Sequence, residues 1–223
     1  MGVDVPDLLS MSYADSRRGM VRADSAMAEV EAGAPPGHPD TVYISCVDGQ
    51  GNACSFINSV YMGFGTGLVV PGTGVALHNR GVSFSLDPGH PNALAPNKQP
   101  FHTLIPGMVT EGGEMTHCYG VMGSMQQAQG HLQVLSNMFD FGLSPQQALD
   151  APRFSVRVGD SIYLEDTMAK EIAEGLRSMG HSITLREPHG VFFGSGQIIR
   201  RDPDTGALTG GSEPRADGAA VGW

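Results

Sequence analysis

The chain has 223 residues, a formal net charge of −10 and 40% apolar residues. That is length enough for one domain with a real core, an acidity that argues against a nucleic-acid surface, which needs clustered Lys and Arg, and a chain in which no apolar run reaches the length of a membrane span. The first twenty residues lack a basic stretch followed by an apolar one, so they do not read as a signal peptide, and a cytoplasmic location is the expectation.

Residues 6–31 carry apolar side chains at helical spacing, closed by Gly33 and Pro35. Residues 33–40, GAPPGHPD, read as a linker. At Thr41 the period changes to two. TVYISCVD, the turn GQGN and ACSFINSVYM predict a hairpin of two long strands. A symmetric turn there sets Cys46 and Cys54 one residue out of register, on opposite faces. An odd set of three cysteines is no disulfide framework, and all three, with Cys118, are expected to be small buried hydrophobes.

A glycine loop follows, then short strands at LVV, GVALHN and VSFSL and a long irregular stretch, DPGHPNALAPNKQPFHT. Irregular segments of that length in compact domains often serve function. A second hairpin turns at Glu111–Glu114. SMQQAQGHLQVLSNMFDFG predicts a helix with Met125, Ala128, Leu132, Leu135, Met138 and Phe139 as its apolar stripe. Ser144 and Pro145 open a short helix. A surface helix starts at Asp166 as N-cap, carries Met168, Ile172, Leu176 and Met179, and stops at Gly180. Strands are expected at Ser182–Leu185 and Gln197–Arg200, then a mostly irregular tail. Antiparallel hairpins with helices grouped between them make an α+β chain.

Thr41 is where chemistry enters. If the peptide bond before it were cut, Thr41 would hold a hydroxyl nucleophile and a free α-amine to take its proton, so one residue would supply both nucleophile and base. No Ser-His-Asp arrangement competes for that role. The other histidines show no metal-ligand spacing. Gly123-Ser124 lies just before the long helix, where unpaired N–H groups and the helix dipole favour an oxyanion.

Several motifs, in order, then carry a resemblance: DTVYISCVDGQGNACSFINS, FGTG, GVALHNRGVSFS, PNALAPNKQPFHTLIPGM, GVMGSMQQAQGHLQVLSN, DFGLSPQQALDAPRF and SEPRADGAAVGW. From residue 41 to 223 the chain resembles the small-subunit half of the γ-glutamyltransferase-like N-terminal-nucleophile hydrolases, and residues 1–40 resemble the end of that family's large subunit. The resemblance implies a four-layer αββα sandwich, autocatalytic cleavage at Asp40–Thr41 of an inactive precursor, and amide hydrolysis or acyl transfer through an acyl-enzyme on Thr41. It implies no metal or organic cofactor, and a large-subunit-like partner chain or self-association. Ser59 stands where the family has a Thr whose hydroxyl contacts the nucleophile. Gly123 and Ser124 match its oxyanion-hole glycine pair.

The departures lie in the acyl pocket. Where γ-glutamyl enzymes hold the substrate α-amine, this chain has Tyr61, Arg80 and Ser83, with Asn79 alongside; where they grip the α-carboxylate with a Ser pair, it has His102 and Thr103. An acidic partner for an ammonium is replaced by a guanidinium, which prefers a carboxylate. The expected substrate is therefore a small amide with an acidic acyl group and no α-amine, in the manner of the oxamate-amidohydrolase-like and acylase-like branch. Two alternatives stand beside it: γ-glutamyl transfer or hydrolysis of glutathione-type substrates, and a non-catalytic remnant whose exposed sheet face awaits a partner chain.

Overall fold

The structure, a computed structural model, describes residues 10–18, 24–25, 39–157 and 161–223. Of the helical prediction over 6–31, Met11–Arg18 forms helix α1; the remainder, apart from residues 10, 24 and 25, lies outside the described residues, as does most of the linker.

Alternation of apolar and polar residues produces the first hairpin, as expected. Strand β1 (Pro39–Val47) pairs antiparallel with β2 (Ala53–Met62). The strand begins two residues before Thr41, so the Asp40–Thr41 bond lies inside β1 rather than at its mouth. The turn is longer than predicted, with Val47 opposite Ala53, and this one-residue change brings Cys46 directly opposite Cys54. Both thiols are exposed on the outer face of the ribbon; only Cys118 is buried. The register and burial expected for Cys46 and Cys54 are corrected accordingly.

Between the hairpins the three predicted short strands are absent. The backbone there makes two isolated bridges, Val69–Ala76 and Ser85–Ala93, and one 3-10 turn at Arg80–Ser83. Closely spaced glycines and prolines interrupt any longer ladder. The second hairpin is found: β3 (Gly107–Glu111) and β4 (Glu114–Met122), with Glu111 paired to Glu114.

Helix α2 (Gln126–Phe139) buries a face that only partly matches the predicted stripe: Met138 is in the core and Leu135 packs against it, but Met125 and Ala128 are exposed. Gln126, Gln127, His131, Val134 and Met138 turn inward, whereas Leu132 and Phe139 are exposed. Two of the polar side chains on this face, Gln126 and His131, are held there by specific bonds. Gln126 Nε2 donates to the Phe154 carbonyl at 2.8 Å, and His131 Nε2 accepts the Val121 N–H at 3.0 Å. Helix α3 (Pro145–Asp150) begins with a complete capping box between Ser144 and Gln147.

Three strands make a sheet of their own: β5 (Phe154–Val156), β6 (Ser161–Glu165) and β7 (Ser182–Arg186), with β6 and β7 parallel. The parallel pair departs from the all-antiparallel expectation, and β5 and β6 were not foreseen. Between them lies α4 (Lys170–Ser178), whose N-cap is Ala169, not Asp166, and whose sole buried residue is Ala173. Gly180, at φ 93°, ends it as predicted. A one-turn helix, α5 (Gly190–Phe193), leads into β8 (Ser195–Arg201), and β9 (Leu208–Ser212) adds a strand where the tail was expected to be irregular.

The central sheet has the order β3-β4-β8-β9. Helices α2 and α3 cover one face, sealing a core of Tyr119, Val121, Val134, Met138, Ala148, Leu149 and Ile198. The β1–β2 ribbon covers the other. Tyr43 lies flat where a Cβ on Gly120 would stand 2.4 Å from its ring, so this contact requires glycine. The layers therefore run helix, sheet, ribbon. The ribbon's outer face, with Val42, Ile44 and Phe56 each about half exposed, is left bare by the described residues. No helix among them is long and apolar enough to cross a membrane.

The His131 contact has a pH consequence. Nε2 serves as acceptor, so the ring must be neutral; protonation would set two donors against each other. Burial holds its pKa down at about 4, against an ordinary 6.5. The unfolded chain thus takes up the proton first. The stabilisation is complete above pH 6.5 and is lost as pH falls toward 4, a change of about 3 kcal/mol. Unfolding free energies from urea titrations at pH 7 and pH 4 are expected to fall by about that amount more in the parent than in His131→Gln, whose amide can accept the same N–H without titrating.

Candidate active site

Thr41 and Ser59 face each other across the ribbon on its inner side. Thr41 is only 8% exposed, and its Oγ1 donates to Ser59 Oγ at 2.9 Å. The pairing register shifts between Asp40 and Thr41: Asp40 is opposite Tyr61, Thr41 opposite Ser59, and Val60 has no partner. This β-bulge kinks the ladder at the Asp40–Thr41 peptide bond. It also forces Tyr61 to φ 79°, a left-handed conformation that a bulky residue rarely takes. In return, the Tyr61 N–H turns back onto Ser59 Oγ at 3.0 Å.

The 3-10 turn delivers the third component. Arg80, expected in the acyl pocket, is buried, 6% exposed, and its Nη2 donates to the same Ser59 Oγ at 2.9 Å. Its guanidinium lies 4.8 Å from the centre of the Tyr61 ring, a cation–π contact. Burial pushes its pKa down, from a range so high that the group stays charged. Among the described side chains, of which Asp40's is not one, no carboxylate forms an ion pair with it.

Asn79 is occupied structurally. Its Oδ1 accepts the Met62 N–H at 3.1 Å and its Nδ2 donates to the Gly65 carbonyl at 3.0 Å, which pins the end of β2 to the turn. Ser83 is half-buried in that turn, and its carbonyl accepts from Asn92. His102 is exposed in the irregular stretch, its Nδ1 accepting the Leu104 N–H, and Thr103 is half-buried beside it. No hydrogen bond ties Ser83, His102 or Thr103 to Thr41 among the described residues. The structure thus gathers Thr41, Ser59, Tyr61, Asn79 and Arg80, and leaves those three apart.

Gly123 and Ser124 sit between β4 and α2, at φ 142° and 56°. Ser124 adopts the left-handed conformation despite its side chain. A Cβ on Gly123 would come within 3.0 Å of the Gly194 Cα. Neither residue donates a backbone hydrogen bond among the described residues, so two amides remain available before a fourteen-residue helix. Ribbon and sheet meet in a fixed progression. Cys118 Sγ reaches the Cys54 carbonyl, Ser55 Oγ the Tyr119 carbonyl, and Tyr43 lies on Gly120. Continued along both strands, it carries the Thr41 end of β1 toward the Gly123 end of β4.

An open cavity of about 430 Å³ is lined by Val109, Glu111, His117, Phe139 and Arg200 among others and includes none of these residues. No cluster of three or more His, Cys, Asp or Glu suited to a metal occurs among the described residues. What sequence reasoning missed is a buried ion network: Arg153 with Glu213 at 2.8 Å, and Arg215 bridging Glu213 and Glu165. Arg153 sits in DAPRF and Glu213 and Arg215 in SEPRADG, motifs singled out for resemblance without a role, while Glu165 ends β6 outside both.

A gamma-glutamyltranspeptidase family model matches residues 1–223. The glutathione hydrolase-like YwrD proenzyme of Bacillus subtilis is 37% identical over 198 residues, 86% of this chain and 38% of that protein. The oxamate amidohydrolase proenzyme of Klebsiella pneumoniae is 36% identical across 100% of this chain and 42% of its own length. The chain therefore spans about two fifths of these relatives. The crystal structure of a cephalosporin acylase from Bacillus halodurans superposes with a TM-score of 0.90 at 50% identity, over 100% of this chain and 40% of that one. A gamma-glutamyltranspeptidase chain from Pseudomonas nitroreducens, complexed with L-DON, gives 0.71 at 29% identity, covering 81% of this chain and 98% of that one. The fold is the N-terminal-nucleophile hydrolase fold of these structures.

Proposed function

The chain belongs to the gamma-glutamyltranspeptidase family, and from that premise we propose that it is the nucleophile-bearing part of an amide hydrolase or acyltransferase that is cleaved at Asp40–Thr41 and works through Thr41. Residues 41–223 form the catalytic portion on this reading, and residues 1–40 the end of an upstream chain that pairs with it. The observation that carries the reading is the buried Thr41 Oγ1–Ser59 Oγ contact at a bulge on the bond to be cut. The word proenzyme in the relatives' names supports the processing step.

In processing, Thr41 Oγ1 attacks the Asp40 carbonyl carbon, the hydroxyl proton passes to the peptide nitrogen, which leaves as the new α-amine, and water hydrolyses the resulting ester to the Asp40 carboxylate and the free Thr41 hydroxyl. In turnover that amine takes the hydroxyl proton, Oγ1 attacks the substrate amide, and the oxyanion rests on the Gly123 and Ser124 N–H groups. The amine leaves with the proton. Water, or an acceptor amine, then releases the acyl group.

Arg80 sets the acyl preference. A buried guanidinium binds a carboxylate in preference to neutral groups, bidentately where the geometry allows, and a substrate carboxylate would supply that partner. No acidic side chain replaces the one a γ-glutamyl α-amine would need, since Tyr61 and Ser83 stand there. Edman sequencing of the processed full-length gene product is expected to find a chain starting at Thr41. Its kcat/KM for glutaryl or oxamate amides is expected to exceed that for a γ-glutamyl anilide by about tenfold or more, the worth of one charge-assisted hydrogen bond. A γ-glutamyl preference would refute the acyl assignment while leaving the nucleophile in place.

A further inference from the structure

The cavity of about 430 Å³ opens where β3 ends, β4 begins, β8 ends and α2 stops, and it gathers Glu111, His117, Arg200 and Phe139 around one space. Most of β4 separates His117 from Gly123, about 20 Å of extended chain, so this space is no part of the candidate active site. Its volume suits a small molecule, and its lining has the usual make-up of such sites, an apolar wall with a few convergent polar groups.

The fold sets the chemistry of each polar group. Val109 is opposite His117 and Thr110 opposite Met115, so Thr116 is the extra residue of a β-bulge. Its hydroxyl is thereby brought beside the His117 ring. Thr116 Oγ1 donates to the Val109 carbonyl at 3.3 Å and lies 3.1 Å from His117 Nδ1. A hydroxyl has one proton, so in the second contact Oγ1 accepts and Nδ1 carries the ring hydrogen. Burial and the nearby Arg200 push the His117 pKa down, which keeps the ring neutral at pH 7. Nε2 is left as a bare acceptor: among the described residues nothing bonds it, and it is not sealed from the cavity that the ring lines. Arg200 stands directly opposite His117 on β8. Its one ion pair among the described residues is to Asp202 at 3.6 Å, with both side chains partly exposed, a kind of pair that contributes little. Glu111 shares the cavity but forms no ion pair among the described residues. Phe139, half exposed, meets the His117 ring edge-on at 5.0 Å and supplies an aromatic wall.

A cation, an anion and a neutral acceptor that do not satisfy one another, set around an aromatic ring, fit a zwitterion. We propose that this cavity is a second binding site, for a free amino acid with an apolar or aromatic side chain: its carboxylate on Arg200, its ammonium on Glu111 and His117 Nε2, its side chain against Phe139. The site does not depend on the chemistry at Thr41.

Calorimetric titration of the full-length gene product tests this with L-phenylalanine as the probe. The controls are 3-phenylpropionate, which lacks the ammonium, and phenethylamine, which lacks the carboxylate. L-Phenylalanine is expected to bind, and each control to bind about tenfold more weakly or not at all, the scale of one charge-assisted hydrogen bond. Arg200→Gln, at a partly exposed position that folding does not need, is expected to weaken L-phenylalanine by about tenfold and to leave kcat and KM for the amide substrate unchanged. Arg80→Met, which removes the buried cation of the candidate active site, is expected to leave L-phenylalanine binding as it was. No binding of L-phenylalanine up to its solubility, equal binding of all three compounds, full affinity in Arg200→Gln, or loss of binding in Arg80→Met overturns the proposal.

Discussion

Thr41→Ala is expected to leave the chain uncleaved and to lower amide turnover by about four orders of magnitude or more, the usual scale for loss of a covalent nucleophile. The residue is small and buried, and its neighbours are held by other bonds: Tyr61 N–H and Arg80 remain on Ser59. Circular dichroism should therefore be unchanged, so the loss is chemical. Thr41→Ser keeps the oxygen and its contact to Ser59, and is expected to cleave and turn over within about tenfold of the parent. A denaturing gel reads the first effect and release of ammonia or amine the second. The two are separable. Produced as two chains with residue 41 already carrying a free amine, Thr41→Ala must still be inactive if the hydroxyl is the nucleophile. Activity in that form would reduce Thr41 to a processing residue.

What the sequence made legible follows physical locality. Alternation gave the first hairpin, because a half-buried strand writes its burial pattern residue by residue, whereas the second was legible at its Glu111–Glu114 turn, its strand β4 being buried on both faces. The same logic failed wherever the deciding contact was distant. Helix α2 turned its polar face inward because Gln126 and His131 find backbone partners on β5 and β4, and no local period records that. The Cys46–Cys54 register followed from a turn one residue longer than symmetry suggested. Strand β9, LTGGS, has too little side chain to signal a strand, and is held by its ladder to β8. At the site, Thr41 and Ser59 were legible as strand partners through the family motifs, and Arg80 as the unusual residue. Its placement was not legible. The chain between 63 and 79 folds back so that a 3-10 turn, rather than a strand end, lays the guanidinium on Ser59. An exposed sheet face was foreseen; the face left bare by the described residues is the outer one of the ribbon, with Val42, Ile44 and Phe56 each about half exposed.

The largest stability effect is expected from Glu213. Its carboxylate is 2% exposed and binds Arg153 Nη2 at 2.8 Å, Arg215 Nη1 at 2.7 Å and the Gly196 N–H at 2.8 Å. Arg153, itself 1% exposed, also donates to the Gly194 carbonyl at 2.8 Å and the Leu149 carbonyl at 3.2 Å. Glu213→Ala would leave Arg153 buried without its anion, a loss of about 3–5 kcal/mol and a fall in Tm of roughly 10 °C for a domain of this size. Replacing both partners by apolar residues, Arg153→Met with Glu213→Leu, removes the uncompensated charge, so the double variant is expected to be more stable than the sum of the singles predicts; strict additivity would sink the network account. The network also reaches the chemistry. Arg153 holds the Gly194 carbonyl, and Gly194 stands against Gly123, so close that a Cβ there would meet its Cα at 3.0 Å. Loosening Arg153 frees the turn that carries the Gly123 and Ser124 amides. At temperatures where Glu213→Ala stays folded, kcat is accordingly expected to fall while KM holds, since an oxyanion donor contributes in the transition state and little in the ground state.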